Sequence, residues 1–167
     1  GRKTGARIIL PEHGDKRVQD AGAELTLLGF KIIHNEDFQD QTDNYLDYIN
    51  TLPFTENWPV ENLVEYLKNP LHYAMAMVAC DDADGLVAGA VTPSGDVIRA
   101  AIRMIGIRPT SNNVSSIFFM ISPNEEKAFT FGDCAVIPEP DSKQLAVIGR
   151  DSAQFHHRFY SAQTHRW

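Results

Sequence analysis

The chain has 167 residues, of which 22 are acidic and 15 basic, for a net charge of −7. A hydrophobic content of 43% with 22% charged residues describes a folded globular chain and excludes disorder or collagen-like repeats. The acidic balance argues against a nucleic acid or an anionic membrane surface as the main partner, though one cationic pocket for an anionic substrate stays compatible with it.

The first element in chain order is Ala6–Pro11, where Ile8, Ile9 and Leu10 form a continuous apolar run, as in a strand covered on both faces. Pro11–Asp15 breaks it. Val18, Ala21, Leu25 and Leu28 then recur at helical spacing, and Gly29 stands at the helix stop. Phe30–His34 reads as a second strand, so the opening is strand, helix, strand, which implies a parallel sheet. Tyr45, Tyr48 and Ile49 suggest a short helix ended by Pro53. Pro59 opens a helix with Val60, Leu63, Val64 and Leu67 on one face, and Pro70 stops it. Leu71–Cys80 is apolar all round, as in a short buried helix. Asp82–Gly85 is a turn, and a buried strand is expected over 85–90.

Thr92-Pro93-Ser94-Gly95-Asp96 is a helix-start signal, followed by Val97, Ala100, Ala101 and Met104 on one face and closed by Gly106. Arg108–Ser111 is the best linker in the chain. Beyond it, Val114–Ile121 and Ala128–Gly132 are β-rich runs joined by Pro123–Lys127, a hairpin pattern. Asp141 and Gln144 have the spacing of a capping box for a final helix carrying Leu145, Ile148 and Phe155.

The sharpest chemical feature is the Thr92–Arg99 stretch. A buried strand followed by a helix start aims backbone N–H groups and the positive helix end at one spot. Thr92 and Ser94 add hydroxyls, and Arg99 lies one turn in, able to grip a phosphate bidentately. An ordinary Ser-capped helix with Arg99 in a surface ion pair accounts for the same spacing. Adjacent His156 and His157 point about 100° apart on a helix and do not share a metal easily. His13 follows the first strand and reads as a loop histidine. Cys134 reads as an inert thiol, with no base beside it, and Asp133 as a turn former. The two cysteines, Cys80 and Cys134, lie far apart without a CxxC pair, which fits a reducing, cytoplasmic setting and offers neither a disulfide framework nor a zinc site. No Walker A, GxSxG or complete GxGxxG sequence is present.

Four segments together resemble the phosphate acetyl/butyryltransferase family: ARIILPEHGDKRV at 6–18, DADGLVAGAVTPSGDVIRAAIRMIG at 82–106, VSSIFFM at 114–120 and FGDCAVIPEPDSKQLAVIGRDSA at 131–153. WPVENLVEYLKNPLHYAMAMV at 58–78 is a weaker fifth match. The resemblance implies an α/β fold, a parallel sheet flanked by helices in βαβ units, within a two-domain architecture. Residues 1–107 then correspond to most of the first α/β domain, abridged, and 108–167 to the beginning of the second. It implies transfer of an acetyl group between the thiol of coenzyme A and inorganic phosphate, with acetyl-CoA as substrate, no metal or organic cofactor, and a homodimer. It implies that Arg99, in a D-x-x-R motif, holds the phosphate or acetyl phosphate, with Thr92 and Ser94 beside it.

Three departures from the family pattern stand out. Family members are roughly twice as long, and the serine, arginine and aspartate that assist the thiol attack have no counterpart here, so no catalytic residue is assigned. A basic R-K-x-K-G stretch, which carries a second anion-binding arginine, is replaced by Thr51–Asn57, without a lysine or arginine. The region Glu24–Asp43 is short by about one β–α unit. These departures leave two readings open: an acyltransferase, or part of one, and a non-catalytic acetyl-CoA-sensing module of the kind appended to bacterial malic enzymes.

Overall fold

The computed structural model describes residues 5–124 and 127–164, with side chains through Phe159. The chain divides into two compact units between Gly106 and Ile107.

The first unit is built on three parallel strands: β1 (Arg7–Ile9), β2 (Lys31–Ile33) and β3 (Gly85–Leu86), in the order β2-β1-β3. Ile8 pairs with Ile32 on one side and Gly85 on the other. Helix α1 (Lys16–Leu27) connects β1 to β2. Asp15 caps it, accepting from the Arg17 N–H at 2.8 Å, and Gly29 ends it at φ +84°. The inward face of α1 differs from the expected one. Gly22 is its buried residue, and a Cβ there would stand 3.4 Å from Leu10, while Leu28 is left exposed. The helix thus meets Leu10 and Ile32 through a glycine, at a spacing where a Cβ would make ordinary contact, and an apolar periodicity does not register that residue.

Between β2 and β3 come α2 (Thr42–Asn50), α3 (Val60–Leu67) and α4 (Pro70–Ala79). Pro59 stands just outside α3 as its cap, and Pro70 is the first residue of α4. Their inward residues form the core: Ile9 and Ile33 from the sheet meet Tyr45, Ile49, Leu63, Leu67, Leu71 and Met77. Tyr45 is fully buried, and its hydroxyl donates to Asp82 at 2.7 Å, so the one polar atom of a large core side chain is satisfied. Helix α5 (Ser94–Met104) closes the unit with Ala100 and Met104 buried.

The strand expected over 85–90 is shorter. After Leu86 only Val87 keeps a ladder bond, to Ile9 at 3.1 Å. The N–H groups that follow are drawn to a side chain, and that diversion ends the strand.

In the second unit, β4 (Ile117–Ile121) and β5 (Ala128–Gly132) form the antiparallel hairpin, Phe119 opposite Thr130. Helix α6 (Ser142–Thr164) packs on one face of it, with Phe119 against Phe155 and Phe159. The capping box is present: Asp141 N–H donates to the Gln144 side chain at 2.9 Å, and Gln144 N–H to the Asp141 carboxylate at 2.8 Å.

Candidate functional site

β1 and β3 are neighbours and parallel, so the loops leaving their C-terminal ends meet at one sheet edge, the usual ligand side of an open α/β sheet. Glu12 leaves β1; Gly89–Thr92 leaves β3. The Glu12 carboxylate accepts from four backbone N–H groups: Gly89 at 2.9 Å, Ala90 at 2.7 Å, Val91 at 3.2 Å and Thr92 at 2.6 Å. Gly89 allows the turn with φ +105°. Burial pushes the Glu12 pKa up, but the Thr92 hydroxyl and the surrounding N–H groups outweigh it and bring it down to about 2. Arg17 grips the same loop from its other side, donating to the Ala90 carbonyl at 3.1 Å. The N–H groups that gather here belong to Gly89–Thr92, ahead of the helix start, and the anion they hold is the protein's own carboxylate.

The next residues build a wall. Pro93 is the N-terminal boundary residue of α5, and Arg99 Nη1 lies 2.5 Å from Asp96 Oδ1, both side chains exposed. Thr92, Asp96 and Arg99 line a cavity of about 300 Å³ together with Asn69, His72 and Arg103. Thr92 and Arg99 thus come together. Ser94 does not line this cavity; two residues from Asp96, it falls on the opposite side of the helix.

The facing wall comes from the α3–α4 corner. Asn69 caps α4, accepting from the Leu71 N–H at 2.9 Å. His72 stacks on Tyr66 with centroids 3.8 Å apart, and its Nδ1 lies 3.0 Å from the Tyr66 carbonyl. Burial lowers the His72 pKa, and the charge of Arg103 lowers it further against the pull of that hydrogen bond. Arg103 lies over the Phe54 ring, 5.8 Å from its centroid. Phe54 belongs to Thr51–Asn57, the stretch without basic residues, so a cation from α5 reaches that place. A second cavity, of about 410 Å³, continues from Tyr66, Asn69 and His72 to Trp58 and Asn62.

Two contributors, Glu12 and Arg103, escape a local reading of the sequence. Arg103 had a signal, its spacing of four from Arg99, which puts both on one helix face. Glu12 had a weaker one, a carboxylate just past a buried parallel strand.

Elsewhere, His13 pairs with Glu36 at 3.0 Å. The Asp133 carboxylate accepts from Ser116 N–H and Ile137 N–H, both at 2.7 Å, and organises the chain after β5. The Cys134 thiol donates to the Phe131 carbonyl at 3.3 Å. Among the described residues, no group of three histidine, cysteine or acidic side chains is placed to hold a metal ion.

A parallel sheet flanked by helices, with a cavity lined by Arg99 and Arg103 beside the loop that leaves β3, defines the class as an α/β protein of βαβ type. The sequence model of the family described as "Phosphate acetyl/butaryl transferase" matches residues 2–165, and the chain belongs to that family. A phosphate acetyltransferase of Acetivibrio thermocellus is 29% identical over 151 residues, covering 88% of this chain and 45% of the relative. One from Staphylococcus aureus is 42% identical over 94 residues, 56% of this chain and 28% of the relative. Among solved structures, the EutD phosphotransacetylase from Staphylococcus aureus matches with a TM-score of 0.74 at 28% identity, covering 86% of this chain and 50% of the other. A phosphotransacetylase from Streptococcus pyogenes, at 24% identity and TM-score 0.70, shares the fold. The chain thus spans about half the length, or less, of the relatives it matches.

Proposed function

We propose that this chain supplies the phosphate-binding wall of a phosphate acetyltransferase, which moves an acetyl group between coenzyme A and inorganic phosphate to give acetyl phosphate and free coenzyme A. The observation that carries the reading is the cavity that Arg99 lines with Thr92, on a loop fixed from below by Glu12. A guanidinium is a planar fork matched to two phosphate oxygens. Asp96 holds that fork at one end, leaving the remaining N–H groups to turn toward a ligand. The related proteins described above are named phosphate acetyltransferases, which gives the sensor-module reading no support.

The proposal takes acetyl-CoA and phosphate as substrates, with no metal or organic cofactor, in a cytoplasmic homodimer. The two free thiols, Cys80 and Cys134, support the reducing compartment. The test is phosphate binding by calorimetry to the wild-type chain and to Arg99→Ala. Loss of a charged hydrogen-bonding partner costs about 1.5–3 kcal/mol, so the variant binds more than tenfold more weakly. Equal affinity of the two proteins removes the pocket.

A further inference from the structure

Arg103 carries a charge with no carboxylate on it. Among the described residues it forms no ion pair, whereas Arg99 has Asp96. Its guanidinium lies over the Phe54 ring, and it lines the same cavity as Arg99, one helical turn further along α5. Like charges four residues apart on a helix repel, so the pair stands at an energetic disadvantage unless an anion sits between them. The other polar groups around the cavity add little negative charge near Arg103. Asp96 is engaged with Arg99, Asn69 is neutral, and His72 is directed at the Tyr66 carbonyl.

We infer that Arg103 is a second anion-binding residue of this pocket, and that the Arg99–Arg103 pair makes it selective for a doubly charged oxyanion over a singly charged one. The inference rests on the proposed phosphate-binding role of Arg99 and adds a specificity-determining residue to it. One guanidinium, half-neutralised by Asp96, suits a monoanion. Two, placed on adjacent turns of one face, offer donors from two directions and enough positive charge for a dianion such as hydrogen phosphate or a phosphomonoester. Phe54 contributes by fixing where the second guanidinium stands, since the ring face attracts a cation without neutralising it.

The experiment measures binding of inorganic phosphate and sulfate, as dianions at pH 8, and of nitrate, as a monoanion, to the same 167-residue chain. The variants are Arg103→Met, which keeps an apolar stem against Phe54, Arg103→Lys, which keeps the charge, and Arg99→Ala. Circular dichroism and the melting temperature establish that each is folded. Arg103→Met is expected to weaken phosphate and sulfate about tenfold or more while changing nitrate less than about twofold. Arg103→Lys is expected to recover a substantial part of that loss, which a packing role alone would not give. If Arg103→Met binds phosphate and sulfate as the wild type does while Arg99→Ala is weakened, the inference fails and the phosphate pocket stands. If Arg99→Ala also binds as the wild type does, the pocket itself is gone and the inference with it. Equal weakening of all three anions by Arg103→Met overturns the selectivity.

Discussion

The Glu12 carboxylate accepts the Thr92 backbone N–H at 2.6 Å, across 80 positions of sequence. It fixes the first residue of the wall that carries Arg99, and it does so as an anion. Replacing it with Gln sets an amide NH₂ against N–H donors. Glu12→Gln is expected to lower stability by about 1.5–3 kcal/mol, measured by urea unfolding at pH 7. The pH dependence follows from the direction of the shift. The folded pKa, about 2, lies below the ordinary 4.5. The stabilisation is therefore complete above about 4.5 and is lost as pH falls toward about 2. The stability gap between wild type and Glu12→Gln should close over that interval; a gap unchanged at pH 2.5 would contradict the assignment.

Gly89 makes the same loop possible. Its φ of +105° is a conformation that side chains with a Cβ rarely adopt. Gly89→Ala is expected to cost about 1–2 kcal/mol and to weaken phosphate binding as well, because Thr92 shifts with the loop. A variant with wild-type melting temperature and phosphate affinity would show that the turn is not under this constraint.

The 167 residues by themselves are expected to be a slow catalyst. Thioester exchange gains most from positioning both partners and from removing the thiol proton. The acidic groups near Arg99 are committed: Asp96 to Arg99, Glu12 to four N–H groups with a pKa too low for a useful base. A missing base costs about 10²–10⁴ in rate. Phosphate-dependent release of thiol from acetyl-CoA should fall short of a full-length relative by at least that factor. A comparable rate would place a base for the thiol among these residues.

One face of the β4–β5 hairpin lies open. Phe118, Met120, Phe129 and Phe131 are 60%, 53%, 49% and 57% exposed, and they alternate with the residues turned toward α6. A contiguous apolar surface of this kind drives association. The 167 residues alone are expected to associate beyond the proposed dimer at tens of micromolar, and Phe118→Ser with Phe131→Ser to reduce that further association. No change in the distribution would rule this face out as the cause.

What could be read in advance divides by distance along the chain. The capping box at Asp141 and Gln144, the glycine stop at Gly29 and the alternation of the hairpin are set by neighbours a few residues away, and each appears where the local pattern puts it. The early end of β3 could not be read locally, because a carboxylate 77 or more residues upstream takes the N–H groups that would have extended the ladder. The inward face of α1 was hidden for a different reason: its buried residue is Gly22, which contributes no hydrophobicity to a periodic pattern. At the candidate site, Arg99 and Thr92 were visible as a motif. Arg103 was visible only as a spacing, since its meaning depends on Phe54, which belongs to another part of the unit.

The filled loop at Glu12 has a consequence for how the pocket feels its surroundings. Its backbone donors are already satisfied, so in the proposed phosphate pocket the attraction of an oxyanion rests chiefly on guanidinium groups near the surface. Mobile ions screen such charges over about 8–10 Å at physiological salt. Occupancy of this pocket should therefore follow the ionic strength of the solution, falling as salt rises, in a way that a backbone-lined phosphate cradle would not.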